Sequence, residues 1–253
     1  MKSIAKAAKA EVASAWRQIQ SFNYDYGIYP QTMEVEGVEY KSYDLRNTHW
    51  DPLLRDLMET VEDGQQFLDL GANRGVYSIL VSSSNDVDCH AFEPDPNMIN
   101  RLRKNISIND IKGEINIHQV ALADESTTTD FHISANPIKS SLSPAVAGDN
   151  DFVGRNHVAD TISVDVAPLD KMVDDIDLSP DIIKVDVEGF APEAIDGAKR
   201  VLETHQPDIF LELHYDRGEE KVGELHDSLV SAGYHISKLP SAPEYYWYCS
   251  FNT

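Results

Sequence analysis

The stretch Phe67-Leu68-Asp69-Leu70-Gly71-Ala72-Asn73-Arg74-Gly75 decides the fold. It reads as an apolar strand that runs into a glycine-bounded turn and then into a helical pattern over Gly75–Ser83. Glycine lets a backbone approach a ligand closely, and such a turn delivers a helix whose first N–H groups have no intrahelical partner. The next strand-like run, Val87–Phe92, is closed by Glu93. At about 20 residues beyond the turn, a strand-end carboxylate is placed to bind a ribose diol.

Downstream, strands keep alternating with helices, the pattern of a mostly parallel sheet. Strands are expected at Gln66–Leu70, Val87–Phe92, Ile115–Val120, Asp181–Val185 and Asp208–Leu213. Helices are expected at Gly75–Ser83, Pro96–Ile108, Pro192–Thr204 and Glu219–Ala232. Two closing runs, Tyr234–Leu239 and Tyr245–Phe251, are separated by a Pro/Ser turn and suit an antiparallel hairpin at one sheet edge. The fold class is therefore α/β, a doubly wound sheet of seven strands. Upstream, Met33–Tyr43 alternates around Glu36-Gly37 as a hairpin, and a helix follows from Asp51 to Val61. Pro52 stands in its first turn and Gly64 just past its end. Residues 1–20 space Ile4, Ala8, Val12, Trp16 and Ile19 as a helix that packs on its own domain or on a second copy of the chain, a homo-oligomer. The chain thus divides into a helix-and-hairpin extension over residues 1–48 and one domain over residues 49–253. Within that domain Ser134–Asp160 is long and rich in Ser, Asn, Pro, Gly and Asp, and reads as a lid over a site in preference to an inert insertion.

Spacing in the turn separates cofactors. A dinucleotide fingerprint requires G-x-G-x-x-G, whereas Asn73 stands here where the middle glycine admits a pyrophosphate. Asp69, just before the turn, adds negative charge that repels phosphate. S-adenosylmethionine carries an ammonium and a sulfonium, so it fits where NAD does not. On that reading Asp69 and the turn Gly71, Ala72, Asn73 and Gly75 position the methionine portion. Glu93 holds the ribose, and Asp124, closing Ala121-Leu122-Ala123-Asp124, accepts from the adenine amine.

Two further strand ends carry chemistry. Ile182-Ile183-Lys184-Val185-Asp186-Val187-Glu188-Gly189 ends in two acids, and Ile209-Phe210-Leu211-Glu212-Leu213-His214 in a carboxylate and an imidazole. In an open α/β sheet, ligands sit outside the carboxyl ends of the strands, so Asp186, Glu188, Glu212 and His214 converge beside the methyl donor. His214 is the preferred base, because an unperturbed imidazole titrates near neutrality, and the three acids orient it or bind the acceptor. Lys184, mid-strand in an apolar run, is expected to pair with Asp69 or Asp186.

Composition bounds the partners. Across 253 residues, 43 acidic against 21 basic side chains give a net charge of −22, a field that repels phosphate backbones and argues against nucleic acid. The surplus is spread along the chain and reads either as adaptation to high salt or as an ordinary acidic enzyme. No apolar run reaches the roughly 18 residues of a membrane span. Met1–Gln20 has no continuous apolar stretch of a signal peptide, so a cytoplasmic location is expected. The two cysteines, Cys89 and Cys249, lie in strand-like runs and are expected as buried thiols.

The quoted stretches resemble the FkbM-type family of S-adenosylmethionine-dependent methyltransferases. The likeness rests on Phe67–Gly75, Ala91-Phe92-Glu93-Pro94, Ala121–Asp124, Ile183–Gly189 and Pro207–His214, with a weaker echo at Ser140-Ser141-Leu142. It implies a Rossmann-like class I methyltransferase fold, adds Pro94 to the cofactor set, and implies O-methylation of hydroxyl groups on sugars or other small metabolites. Two rivals remain open: transfer assisted by Mg²⁺ held by Asp186, Glu212 and His214, and a non-catalytic S-adenosylmethionine-binding partner protein. The strand-end acids argue against the latter. A DNA methyltransferase is disfavoured by the charge and by the absence of an Asn/Asp-Pro-Pro-Tyr-like run.

Overall fold

The alternation of apolar strands and amphipathic helices assembles into one central sheet. A computed structural model describes residues 19, 22–24, 26–43, 52–134, 140–147, 158–214, 218–239 and 245–251. The helix expected over residues 1–20, and any oligomer contact through it, lie outside the described residues apart from Ile19. In chain order the elements are β1 (Gln31–Val35), β2 (Val38–Ser42), α1 (Pro52–Thr60), β3 (Gln66–Leu70), α2 (Val76–Ser84), β4 (Asp88–Phe92), α3 (Pro96–Ile106) and β5 (Glu114–His118). Then come β6 (Ala121–Leu122), β7 (Thr127–Ser134), α4 (Pro144–Ala147), β8 (Val158–Ala167), α5 (Leu169–Ile176) and β9 (Ile182–Val185). The chain continues with α6 (Ala191–Asp196), α7 (Lys199–His205), β10 (Asp208–Glu212), α8 (Glu219–Ser231), β11 (Tyr234–Lys238) and β12 (Tyr246–Phe251).

The seven-stranded sheet has the order β11-β12-β10-β9-β3-β4-β5. Strands β10, β9, β3, β4 and β5 pair in parallel, and β12 runs antiparallel to both β10 and β11. From β3 the chain builds outward through β4 to β5, then crosses back to β9 and β10 on the other side. The topological switch therefore lies between β3 and β9, where a doubly wound sheet opens its ligand crevice.

Both sheet faces are covered, which explains why β3 and β9 read as almost continuous apolar runs. One face packs Leu68, Leu70, Ile183 and Val185 against Leu169, Val201, Leu225 and Leu229 of α5, α7 and α8. The other packs Phe67, Cys89, Ile182 and Phe210 against Leu53 and Leu57 of α1. The hairpin β1–β2 joins this core through Tyr40, with Met33, Val35 and Val38 beside Leu54, Ile79 and Leu80. Cys89 and Cys249 are free and buried, as expected, and burial pushes the Cys249 thiol up to about 12. Among the described residues, no helix is long and apolar enough to cross a membrane.

Three features differ from the expectation. The single helix expected over Pro192–Thr204 is two, α6 and α7, parted at Gly197-Ala198. Gly197 passes so close to the neighbouring chain that a Cβ would lie 2.1 Å from the Ala123 carbonyl oxygen. Asp170 then restarts the helix by accepting from the backbone N–H groups of Arg200 (3.0 Å) and Val201 (2.9 Å). Second, β6, β8 and β7 form a separate three-stranded sheet. Much of β7 and β8 is exposed and polar, and their apolar alternation is short: Phe131 and Ile133 in β7, Ile162, Val164 and Val166 in β8. Third, the long segment Ser134–Asp160 begins as the last residue of β7 and ends inside β8. Between them only residues 140–147, with α4, are described; the rest of the segment expected as a lid lies outside the described residues.

Candidate functional site

The site grows from the turn after β3. Gly71 adopts φ +82°, and a Cβ there would stand 1.8 Å from the Asp186 carbonyl oxygen. Only glycine fits at that crossing, and the close approach brings the ends of β3 and β9 together. Gly71 and Ala72 both donate their N–H to the Phe92 carbonyl at 3.0 Å. Asn73 follows in the left-handed region at φ 51°. Its N–H reaches one Glu93 carboxylate oxygen at 2.9 Å, while the Asp95 N–H reaches the other at 2.9 Å. Glu93 thus straps the turn to the end of β4. Burial pushes its carboxyl up to about 7, against the pull of those two N–H donors.

Behind the turn lies Lys184, 2% exposed. Its ammonium meets Asp69 at 3.1 Å, the Gly71 carbonyl at 3.2 Å and Asp186 at 3.5 Å, beneath the Tyr77 ring at 4.7 Å. Both pairings foreseen for it form. Burial alone would lower the lysine pKa, but the charges of Asp69 and Asp186 overcome this and raise it. Asp69 is completely buried, and it also accepts from the N–H and hydroxyl of Ser78 in α2. It neutralises Lys184 and accepts from the first turn of α2, so its charge is balanced and not presented to the cavity.

Next to Lys184, Asp186 stands 3.0 Å from His214 Nε2, and Glu188 stands 3.5 Å from His214 Nδ1. Burial alone would lower the His214 pKa. The hydrogen bond and charge of Asp186, then the charges of Glu188 and Glu212, raise it instead to about 9. Asp186 would be raised by burial, but the charge of Lys184 and then the His214 contact bring it down to about 2. Both ring nitrogens of His214 face acids that favour the imidazolium, a setting different from the unperturbed imidazole of the sequence reading. Asp186, Glu188 and His214 have ligand atoms within 4.8 Å of one another, a grouping that can hold a metal ion. It contains Glu188 in place of Glu212, and in the geometry seen His214 bridges the two acids.

These groups surround a cavity of about 870 Å³ at the carboxyl edge of the sheet, within the roughly 300–1,000 Å³ that encloses a drug-sized ligand. Gly71, Ala72, Asn73, Glu93 and Pro94 line one part, and Asp186, Glu188 and Glu212 another. Asp69, Gly75, Asp124 and His214 are not among its lining residues. Gly75, at φ +84°, is there for packing, since a Cβ would meet Leu102 at 2.0 Å. Asp124 is exposed just beyond β6.

Two walls come from elsewhere. Ser140, Ser141 and Leu142 line the cavity. Ser141 exchanges backbone hydrogen bonds with His132 of β7 and donates its hydroxyl to the Glu188 carbonyl at 2.8 Å. The hairpin contributes Met33, Glu34, Val35 and Glu36, a wall that sequence reasoning missed. Its signal, apolar alternation in β1, is the same for a cavity wall as for ordinary core.

Comparison with known proteins places the chain in a family. Residues 69–236 match the family described as the Methyltransferase FkbM domain. The hexuronic acid methyltransferase AglP of Haloferax volcanii is 24% identical over 178 residues, covering 70% of this chain and 67% of that protein. Among solved structures, methyltransferase FkbM from Methylobacillus flagellatus KT superposes with a TM-score of 0.50 at 20% identity. That match covers 75% of this chain, which spans only 43% of the length of that protein, and it shows the fold.

Proposed function

The chain belongs to the FkbM methyltransferase domain family, and from that premise we propose that it methylates a hydroxyl group on a sugar or other small metabolite, using S-adenosylmethionine. The observation that carries this reading is the single cavity in which the turn Gly71–Asn73, strapped by Glu93, shares space with the acids Asp186, Glu188 and Glu212. The residues fit the cofactor: the turn Gly71–Asn73 lines the cavity beside Glu93, and the buried Glu93 carboxylate offers acceptors to a ribose diol. The cofactor supplies a methyl group on a sulfonium, already bonded to a good leaving group.

What remains for the chain is orientation and removal of one proton. As the acceptor oxygen bonds to the methyl carbon, the C–S bond breaks with its electron pair staying on sulfur, and the hydroxyl proton departs. The Asp186–His214 pair takes the part of proton acceptor, with Asp186 facing the cavity, His214 against it at 3.0 Å and Lys184 holding the carboxylate in place. Glu188 and Glu212 bind further acceptor hydroxyls. The hairpin wall and Ser140–Leu142 enclose the acceptor and exclude water, the part first foreseen for a lid. The name of the Haloferax volcanii relative supports a sugar acceptor.

The test supplies methyl-labelled S-adenosylmethionine with a panel of neutral and uronic glycosides, with and without a chelator. The expected product is an alkali-stable methyl ether, formed equally with chelator present. Asp186→Asn should cut turnover by about 10²–10⁴-fold, the usual range for a lost general base, with S-adenosylhomocysteine binding retained. An alkali-labile methyl ester would contradict hydroxyl methylation, and loss of activity with chelator would favour the metal-assisted rival.

A further inference from the structure

Glu188 stands in the left-handed region at φ 41°, and Gly189 follows it at φ 84°. Glycine adopts that conformation freely, whereas a residue with a side chain keeps it only where its surroundings hold it there. The two residues swing the chain from the end of β9 toward α6, and the Phe190 N–H closes the turn onto the Val187 carbonyl at 3.1 Å. This turn brings the Glu188 carboxylate to the cavity, 3.5 Å from His214 Nδ1. The Glu188 carbonyl is held from a distant part of the chain, by the Ser141 hydroxyl at 2.8 Å.

Ser141 is itself anchored. It is 2% exposed and exchanges backbone hydrogen bonds with His132 of β7 at 2.9 and 3.1 Å. Its neighbour Ser140 accepts from the Ser134 N–H at the end of β7, at 3.2 Å. A hydroxyl has one proton to give and two lone pairs. The Ser143 N–H occupies a lone pair of the Ser141 Oγ at 3.2 Å, which orients the hydroxyl, and its proton goes to Glu188. A backbone conformation that needs holding is thus held by a side chain fixed on another strand.

We propose that Ser141 is a positioning residue for the acceptor: its hydroxyl holds the left-handed turn at Glu188 and so aims that carboxylate at an acceptor hydroxyl. Ser141 acts through Glu188, not by touching the acceptor. The role rests on the hydroxyl-methylation reading above, in which Glu188 binds the acceptor.

A double-mutant cycle on the full chain tests it. The readouts are KM and kcat for the glycoside of the panel above that is methylated fastest, with S-adenosylhomocysteine affinity measured alongside. Ser141→Ala should raise KM roughly 3–10-fold, the scale of one lost hydrogen bond, with a smaller change in kcat and S-adenosylhomocysteine affinity kept. Ser141→Cys, which keeps the shape with a weaker donor, should fall between wild type and Ser141→Ala. Glu188→Gly adopts the turn without help and has no carboxylate to aim. It should raise KM, and adding Ser141→Ala to it should raise KM no further. Additive rises would mean that Ser141 meets the acceptor directly, and an unchanged KM in Ser141→Ala would mean that its bond to Glu188 aims nothing. Loss of S-adenosylhomocysteine affinity in step with KM would mean a general loosening of the site. Each of these results, with the wild type still methylating the glycoside, overturns the role of Ser141 alone. If the wild type methylates no glycoside of the panel, the acceptor reading itself falls and the role with it.

Discussion

At His214 two effects compete for the imidazole proton. Burial favours the neutral ring, while Asp186, Glu188 and Glu212 favour the imidazolium and win, bringing the pKa to about 9. A folded-state pKa above the ordinary imidazole value contributes stability that is fully present below about 6.5 and is lost as pH rises through the folded value. Thermal melting of the wild type should therefore decline between about pH 6.5 and 9, and His214→Gln should flatten that limb; an unchanged alkaline limb would contradict the ion pair. Turnover separates the roles of the ring. A free base at His214 would make the rate climb toward pH 9, whereas a supporting imidazolium predicts a plateau that declines above it. Much of this site was legible in the residues. Asp186, Glu188 and Glu212 were recognised because strand ends in an open sheet point to its ligand edge, and all three line the cavity. The pairing of Lys184 with Asp69 and the setting of His214 among the strand-end acids were legible too, but the contact of Asp69 with Ser78 of α2 was not, because it depends on how the helix packs behind the turn. Asp69 is spent on Lys184 and Ser78, and His214 on Asp186 and Glu188.

Between β3 and α2, the glycine turn is an element whose sequence can be tested almost directly. A residue with positive φ costs about 1 kcal/mol when glycine becomes alanine. At Gly37, φ +79°, nothing lies within 4 Å of a Cβ, so Gly37→Ala should cost little more than that. At Gly71, φ +82°, the Cβ would overlap the Asp186 carbonyl oxygen at 1.8 Å. Gly71→Ala should then cost roughly 3 kcal/mol or more, among the large values that follow from forced overlap in the core. Urea denaturation of the two variants measures the contrast, and equal losses would contradict the strand crossing. Elements whose signal is local were readable in this way: β3, the turn, α2, β4, and the β11–β12 hairpin after its Pro/Ser turn. The β6–β8–β7 sheet was not foreseen, since its alternation is confined to Phe131 and Ile133 and to Ile162, Val164 and Val166 among exposed threonines and aspartates. Nor was the break between α6 and α7, which follows from the approach of Gly197 to Ala123. The hairpin β1–β2 was foreseen as an element, but its place as a cavity wall depends on tertiary packing against α2.

Over the whole molecule the net charge of −22 acts as self-repulsion. Raising salt shortens the screening length from about 10 Å at 0.1 M to about 3 Å at 1 M. If the acid surplus is an adaptation to salt, the melting temperature should rise over that range; a flat or falling curve would favour an ordinary acidic enzyme. The same charge excess suits a cationic ligand, and the cavity concentrates it: six acidic residues and two cations line it among the described residues. That brings the account to its central claim, that the Gly71–Asn73 turn and Glu93 form an S-adenosylmethionine site. Calorimetric titration of the wild type and of Glu93→Ala with S-adenosylhomocysteine, with NAD as control, tests it most directly. The account predicts saturable S-adenosylhomocysteine binding, weakened by about 1–3 kcal/mol in Glu93→Ala through the lost charge-assisted bond to ribose, and no NAD binding. Tight NAD binding with no response to S-adenosylhomocysteine would contradict it.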